Sequence, residues 1–306
     1  MDKQELVKIL ENKLTGSCQV DAPLSQHTSF RIGGPADVLI QPANKEDVLK
    51  VIRFAQEEKL PLTILGNGSN LLVRDKGIRG LVLKLGNNLK ALTRRDNVVS
   101  VESGFLLGAL ARQVGAWGLS GLEFASGIPG SLGGAVVMNA GAYGGEIKDV
   151  LQAVTALSPQ GELRCITKEE LELSYRHSIL QTADFADWVV LEVELLFAQD
   201  DVEVIKARMD DYSQRRLTKQ PLDLPSGGSM FKRPQGYFAA ALIEEAGLKG
   251  FTVGGAQVST KHAGFVVNTG GATAQDVLAL VKAVQGKVYD LKGIVLEMEV
   301  RVIGEE

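Results

Sequence analysis

Apolar residues return at helical spacing in several segments of this chain. Among the first fourteen residues, Leu6, Leu10 and Leu14 fall on one side of a helix. The same spacing predicts a helix over residues 46–59, which Pro61 ends because proline cannot continue it. Further helices are predicted by this pattern over residues 105–117, 202–216, 237–246 and 274–288.

Shorter runs rich in valine, isoleucine and leucine, bounded by glycine, proline or asparagine, indicate strands. These runs cover residues 38–40, 62–66, 71–75, 80–85, 98–103, 153–157, 188–197, 251–258, 264–268 and 293–304. The segment around Pro23 carries no such pattern and is expected to be irregular. Strands and helices mix along the whole chain without a repeat of fixed period, which predicts an α+β architecture with mixed sheets in two or three lobes.

Composition places the chain among globular enzymes. It has 306 residues, 45% apolar and 23% charged, with a formal net charge of −4. The basic residues are scattered, so we expect no nucleic-acid partner. No apolar run reaches the length that crosses a bilayer, and the amphipathic N-terminus lacks the apolar core of a secretion signal. We therefore expect no membrane partner and a cytoplasmic location.

The cysteines and histidines do not form a metal-binding pattern. Cys18 and Cys165 are far apart, which indicates free thiols in a reducing compartment. His27, His177 and His262 are equally isolated, so no metal site is expected. Each histidine is more typical of a hydrogen-bonding or surface residue than of a ligand, although His262 stands out because it follows two polar residues between two apolar strands.

A glycine-rich stretch between Gly121 and Glu146 is the strongest single signal. It contains no lysine or arginine, and apolar residues such as Phe124 and Val136 interleave the glycines, which a flexible linker would not show. Glycines at this density allow backbone to approach a ligand closely or to adopt positive φ. Successive bare N–H groups can hold a pyrophosphate without cations, so we expect a buried segment that faces a ligand.

A second candidate is the loop from Gly66 to Leu71, which follows a predicted strand. A dinucleotide fingerprint would have a third glycine where Leu71 stands and a helix afterwards, so a Rossmann site is not indicated. No phosphate-binding P-loop motif occurs either. The loop could bind phosphate and ribosyl groups through its N–H, hydroxyl and amide donors, or it could be a plain β-turn, since Asn-Gly is common turn chemistry. Its pairing with the glycine-rich stretch favours a dinucleotide.

Several long motifs, in order, resemble those of the UDP-N-acetylenolpyruvoylglucosamine reductase family, type II. They read RIGGPAD, LGNGSNLLV, GIPGSLGGAVVMNAGAYGGE, SYRHS, GSMFKRP, GGAQVSTKHAGFVVN and EVRVIG, between residues 28 and 304. The resemblance implies a two-lobed FAD-binding module of the vanillyl-alcohol oxidase and p-cresol methylhydroxylase type plus an α+β C-terminal substrate domain. The expected boundaries are 1–83 and 84–200 for the FAD-binding lobes and 201–306 for the substrate domain.

The resemblance also implies the ligands. FAD would be the bound cofactor and NADPH would be the reductant. The small-molecule substrate would be UDP-N-acetylglucosamine enolpyruvate, which is reduced to UDP-N-acetylmuramate for peptidoglycan synthesis. The enzyme would be a monomer. By resemblance, the residues that contact FAD are Arg31, Gly66, Asn67, Gly68, Ser69, Asn70, Leu71, Gly127, Ile128, Pro129, Gly130, Ser131, Gly133 and Gly134. By the same resemblance, the residues that bind substrate are Tyr175, Lys232 and His262. Ala240 and Ala241 stand where many type II relatives have glycine and lysine.

Reduction of an enolpyruvyl ether requires three kinds of side chain. Hydride delivered to the terminal vinyl carbon pushes negative charge onto the neighbouring carboxylate, which calls for a cation, a second polar group and a proton donor. Motif positions assign these roles to Arg176, Glu299 and Ser229 respectively. Without the motifs, Arg176 could be a surface ion-pair residue, Ser229 a turn residue after two glycines, and Glu299 indistinguishable from Glu297, which shares its strand face.

Two other functions remain open at this level. An oxidase on the same FAD scaffold would reduce oxygen instead of an enolpyruvyl sugar. A non-catalytic module that binds nucleotide sugars would hold no flavin.

Overall fold

The computed structural model describes residues 2–86 and 88–306. Its helices are α1 Lys3–Lys13, α2 Lys45–Glu57, α3 Leu107–Ala116, α4 Leu132–Val137, α5 Val202–Lys219, α6 Ala239–Glu245 and α7 Ala274–Lys292. All the predicted helices are confirmed, and α4, inside the glycine-rich stretch, was not predicted. Met1 of the first predicted helix lies outside the described residues. No helix in the described ranges is both long enough and apolar enough to span a bilayer.

The strands are short and numerous. In the described residues they are β1 Ser17–Pro23, β2 Pro35–Gln41, β3 Leu62–Leu65, β4 Leu71–Val73, β5 Ile78–Lys84, β6 Leu92–Arg95, β7 Val98–Glu102, β8 Leu119–Ser120, β9 Gly141–Ala142, β10 Gly145–Glu146, β11 Leu151–Leu157, β12 Leu163–Thr167, β13 Val189–Leu196, β14 Ala198–Gln199, β15 Ser226–Ser229, β16 Thr252–Val253, β17 Ala256–Val258, β18 Phe265–Asn268 and β19 Arg301–Ile303.

The structure contradicts one prediction about strands and shortens another. The segment around Pro23 is not irregular, because it forms β1 at the edge of a four-stranded sheet, where proline's missing N–H is tolerated. The strand predicted over residues 293–304 forms only at Arg301–Ile303, where it pairs in parallel with β4. The residues before β19 are extended and bond to another segment, described below.

The chain divides into two compact units, and both contain separated segments. Unit 1 takes the described residues of 1–20, 37–67 and 80–215, and unit 2 takes 21–36, 68–79 and 216–306. Unit 1 includes most of the sheet of order β1-β2-β5-β3 and the antiparallel sheet of order β12-β11-β13-β7-β6. The domain boundaries expected from the sequence stay a prediction.

Unit 1 has two apolar clusters. One packs α1 and α2 on the four-stranded sheet through buried residues such as Leu10, Val48 and Leu83. The other surrounds α3 and α4 and buries Leu110 and Val193. The glycine-rich stretch is therefore anchored in a core, as its apolar residues predict.

Unit 2 is built on the sheet of order β15-β18-β17-β16. Its core joins α6 and α7 to residues from the earlier segments, among them Phe30 and Leu72. The α7 helix starts at a Thr273 capping box, and the carboxylate of Asp75 accepts the N–H groups of Ala274 at 2.8 Å and Gln275 at 3.0 Å. Segment 68–79 is thus fixed to the start of α7.

Candidate functional site

Arg176 occupies a tight turn in unit 1. Ser174 and His177 exchange backbone hydrogen bonds of 3.1 Å in both directions, so Tyr175 and Arg176 form the two central positions. Arg176 has φ of +56°, a left-handed conformation that glycine adopts freely and that costs other residues roughly 1–2 kcal/mol. A side chain kept at such a position at this energetic cost points to a functional requirement.

The guanidinium of Arg176 is held on two sides. Its Nη2 donates to the carbonyl of Gly141 at 2.9 Å, and the group stands 4.9 Å from the centre of the exposed Tyr175 ring. Glu146 lies nearby. Burial alone would raise the pKa of Glu146, but hydrogen bonds from Lys148 and Asn139 and the charges of Lys148 and Arg176 outweigh it and lower that pKa. The ionised form of the Glu146 carboxylate is therefore stabilised near Arg176.

Asn139 connects the glycine-rich stretch to the Arg176 turn. It is fully buried with φ of +40°. Its amide donates to the Ser174 carbonyl at 2.8 Å and to Glu146 at 3.1 Å, and its Oδ1 accepts the N–H of Lys148 at 3.0 Å. The sequence alone assigns no role to this residue, whereas the structure makes it a support of the turn.

Replacing Asn139 with alanine should lower the free energy of unfolding by about 2–3 kcal/mol, because its fully buried side-chain amide makes three hydrogen bonds that alanine cannot make. Urea titration would measure the change. The matched control is Asn97→Ala, which removes a single bond to exposed Gln199. Equal, small shifts of the urea midpoint in the two variants would contradict the supporting role.

The two segments predicted to bind cofactor approach each other within unit 1. A Cβ added at Gly66 would lie 2.6 Å from the hydroxyl of Ser131, and one added at Gly134 would lie 3.5 Å from it. The Asn67 amide donates to the carbonyl of Pro129 at 2.6 Å. The absence of a side chain at Gly66 thus keeps a narrow space beside the Ser131 hydroxyl.

Not every glycine of the stretch faces such a space. The N–H of Gly133 donates to the carbonyl of Ser103 at 2.8 Å, and a Cβ at Gly133 would lie 2.9 Å from the Cβ of Ser103. The N–H of Leu132 is likewise bonded, to Phe105. Gly133 therefore permits close packing at the start of α4. The carbonyl of Gly130 accepts a hydrogen bond from the N–H of Leu107.

Residues 68–71 of the second predicted segment belong to unit 2 and are tied to β15. The Ser29 hydroxyl donates to the carbonyl of Ser226 at 2.7 Å, and the Ser29 N–H donates to the carbonyl of Gly68 at 3.1 Å. A Cβ at Gly68 would lie 2.2 Å from the carbonyl oxygen of His27. Arg31 lies two residues after Ser29, with a φ of +53° and an exposed side chain.

Ser229 ends strand β15 and is exposed. The strand pairs with β18 through Ser226 and Ser229, and the register shifts between them, at Gly227 and Gly228. Gly228 has φ of +85° with open space around its missing Cβ. The two glycines therefore lie in an irregular strand, not in the predicted turn, and this irregularity leaves the Ser229 hydroxyl on the surface.

Within unit 2, Glu299 pairs through its backbone with Met230, the residue that follows Ser229. The N–H of Glu299 donates to the carbonyl of Met230 at 2.9 Å, and the N–H of Lys232 donates to the carbonyl of Glu297 at 2.8 Å. The Asn70 amide donates to the Glu299 carbonyl at 3.1 Å. The two predicted catalytic residues thus lie on neighbouring backbone segments, and the predicted cofactor residue Asn70 bonds to the backbone of the second.

The same pairing separates Glu299 from Glu297. The ammonium of Lys232 lies 2.5 Å from Oε1 of the exposed Glu297 side chain, so the two opposite charges form an ion pair. Glu299 is half-buried. Lys232, predicted to bind substrate, is engaged in this ion pair.

His262 lies in the turn between β17 and β18. Its ring is half-buried, accepts the Gly264 N–H on Nδ1 at 3.1 Å, and meets the Phe265 ring edge-on at 5.1 Å between centres. Burial is the main cause that lowers its pKa. Its predicted contact with substrate stays a prediction.

Cys18, one of the two cysteines, is a partly buried thiol. Burial, followed by the charges of Glu11 and Asp47, raises the pKa of the Cys18 thiol to about 11, which leaves it unreactive. Among residues 2–86 and 88–306, no group of three or more histidine, cysteine, aspartate and glutamate side chains could hold a metal ion.

Comparison with protein families gives two matches. Residues 36–167 match the FAD binding domain model, and residues 220–303 match the C-terminal domain of UDP-N-acetylenolpyruvoylglucosamine reductase.

Similar proteins cover nearly the whole chain. The UDP-N-acetylenolpyruvoylglucosamine reductase of Alkaliphilus oremlandii is 48% identical over 307 residues and covers 100% of both chains. That of Syntrophomonas wolfei is 49% identical over 288 residues, which are 94% of this chain and 95% of the relative. The crystal structure of the Thermus caldophilus reductase aligns with a TM-score of 0.81 at 35% identity, over 95% of this chain and 100% of that one.

Proposed function

Because this chain belongs to the UDP-N-acetylenolpyruvoylglucosamine reductase family, we propose that Arg176, Ser229 and Glu299 carry its FAD-dependent reduction of the UDP-sugar enolpyruvyl ether, with NADPH as the reductant. The reaction yields UDP-N-acetylmuramate for peptidoglycan synthesis. The observation that carries this assignment is the backbone hydrogen bond from Glu299 to Met230, which places Glu299 opposite the residue that follows the exposed Ser229.

The residues around Gly66 fit a flavin dinucleotide. The space between Gly66 and Ser131 would be filled by a methyl group, and the surrounding donors are N–H, hydroxyl and amide groups, which suit phosphate oxygens. We assign FAD contacts to this space, to the 66–71 and 127–134 segments and to Arg31. FAD, when bound, carries hydride from NADPH to the substrate.

Arg176 binds the substrate carboxylate. A guanidinium presents a planar fork of donors that matches a carboxylate, and its charge is permanent. The bond to Gly141 and the left-handed backbone fix the fork before substrate arrives. This preorganisation is useful because the carboxylate gains negative charge as hydride adds to the terminal vinyl carbon.

Ser229 donates the proton that completes the reduction. Once the terminal carbon has received hydride, the electron pair of the double bond moves to the adjacent carbon and its carboxylate. That carbon then takes the proton of the Ser229 hydroxyl, which recovers one from solvent. A hydroxyl is a weak acid, so it serves only against a strongly basic carbanion.

Glu299 acts beside Ser229 as the second polar group at the developing charge. Its backbone is fixed on both sides, by Met230 and by Asn70. Lys232 and Tyr175 are assigned to the sugar nucleotide, and the ion pair of Lys232 with Glu297 would have to open for that contact.

Anaerobic visible spectra of the purified protein test this function directly. NADPH should bleach the oxidised flavin band, and UDP-N-acetylglucosamine enolpyruvate should restore it. A band that bleaches and stays bleached would contradict the substrate. Rapid return of the band in air without any sugar nucleotide would favour an oxidase, and absence of a flavin band after incubation with FAD would overturn the cofactor.

A further inference from the structure

The turn that precedes β18 is built around polar contacts of its own. The Ser259 hydroxyl accepts the N–H groups of Lys261 at 3.1 Å and His262 at 3.2 Å, and the His262 carbonyl accepts the N–H of Phe265 at 3.0 Å. The turn is therefore closed from both ends. The half-buried His262 ring is bonded to this turn.

The ring of His262 completes this turn through one nitrogen. Nδ1 accepts the N–H of Gly264, so Nδ1 carries no proton and the neutral ring is protonated on Nε2. A Cβ at Gly264 would lie 3.0 Å from the ring, which explains the glycine. If the ring gained a second proton, two N–H groups would face each other and the bond would be lost.

Gly264 transmits this contact to the catalytic strand. Its N–H is bonded to His262, and its carbonyl accepts the N–H of Met230 at 2.8 Å. Ser229, directly before Met230, pairs in register with Phe265, the residue after Gly264. One residue thus joins the imidazole to the strand end that carries the proton donor.

We propose that His262 is a positioning residue for Ser229, and that its neutral imidazole holds the Gly264 turn against which the end of β15 is set. The proposal rests on the proposed role of Ser229 as proton donor. It assigns His262 a task inside the protein in place of a contact with the sugar nucleotide.

The surroundings of His262 favour the neutral ring. Burial has the largest effect and lowers the pKa of His262, and the charges of Lys249 and of Lys219, at the end of α5, lower it further. A hydrogen bond with its own backbone and the charge of Glu244 on α6 act in the opposite direction and raise this pKa. Glu244 is itself paired with Lys249 at 2.7 Å. A histidine has an ordinary pKa of about 6.5, so the ring stays neutral above that value and becomes charged only at lower pH.

The test compares His262→Asn with His262→Leu. Asparagine can present its Oδ1 near the position of Nδ1, whereas leucine fills similar space and accepts no hydrogen bond. The measurements are the single-turnover rate of flavin reoxidation by UDP-N-acetylglucosamine enolpyruvate between pH 5 and 8, the dissociation constant of that nucleotide, and the rate of flavin reduction by NADPH.

The leucine variant should lose about tenfold to a hundredfold in the reoxidation rate at saturating substrate. Asparagine should restore most of that rate and remove the fall that the wild type shows below about pH 6.5. Flavin reduction by NADPH and nucleotide binding should change less than threefold in both. Tenfold weaker binding with an unchanged saturating rate, or an acid limb kept in the asparagine variant, would overturn the proposal.

A spectroscopic readout separates this proposal from the reductase function. In ¹⁵N NMR of the flavin-loaded protein at pH 7, the histidine signal absent from His262→Asn should show protonated Nε2 and unprotonated Nδ1. A proton on Nδ1 would overturn the positioning role whatever the substrate. Failure of the sugar nucleotide to reoxidise the wild-type flavin would instead contradict the proposed function and leave the NMR result to decide on His262.

Discussion

Replacing Ser229 with alanine is expected to slow flavin reoxidation by the enolpyruvyl sugar nucleotide about 10²- to 10⁴-fold, the range of a lost general acid. Flavin reduction by NADPH should stay near the wild-type rate, because no proton from Ser229 is needed there. The side chain is exposed at the end of β15, so its removal leaves no cavity. Stopped-flow absorbance traces of the two half-reactions, recorded separately, would measure both rates.

Ser226→Ala is the matched control on the same strand. The Ser226 carbonyl, and not its hydroxyl, accepts the bond from Ser29, so this variant should keep both half-reactions. An equal loss of both half-reactions in Ser229→Ala would mean that the serine supports the structure and is not the proton donor.

Replacing Arg176 with lysine is expected to lower turnover about 10²- to 10³-fold, as for the loss of one preorganised donor at a developing charge. Lysine keeps the positive charge but lacks the planar fork, so it cannot bind a carboxylate in two places while also bonding the carbonyl of Gly141. Both residues carry the same cost at φ of +56°, so the change isolates the head group. Steady-state kinetics with the sugar nucleotide would measure it.

Arg164→Lys provides the comparison for this change. Arg164 pairs with Glu170 at 2.7 Å and lies over Phe185, on a partly exposed surface of unit 1. That variant should keep its turnover, since such pairs contribute little. A wild-type turnover number in Arg176→Lys would show that this arginine serves the turn and not the substrate.

Local sequence signals predicted the helices well and the strands less well. The α7 helix was placed by its apolar spacing, and its ends coincide with a capping box at Thr273 and a left-handed Gly293. The predicted closing strand is shortened because its partners are remote: β19 pairs with β4, and Glu299 bonds with Met230. Strand pairing depends on contacts that periodicity does not contain.

The site shows the same division. Motif order located Ser229 and Glu299, but strand alternation alone could not separate Glu299 from Glu297; the ion pair of Glu297 with Lys232 does so. The sequence alone assigns no role to Asn139, because its partner Ser174 is 35 residues away. A positive φ at a non-glycine residue leaves no mark in the sequence, so its support of the Arg176 turn was not predictable.

The interleaved course of the chain has a consequence for synthesis on the ribosome. Phe30, Ile32 and Leu72 belong to the core of unit 2, whose other buried residues come from 216–306. At about 5–20 residues per second, these early segments emerge roughly ten seconds or more before their partners exist. Unit 1 can begin to form in that interval, whereas the core of unit 2 can close only after residues up to Val300 have been synthesised. The apolar residues of segments 21–36 and 68–79 must therefore stay exposed without aggregation until the rest of the unit 2 core has been synthesised.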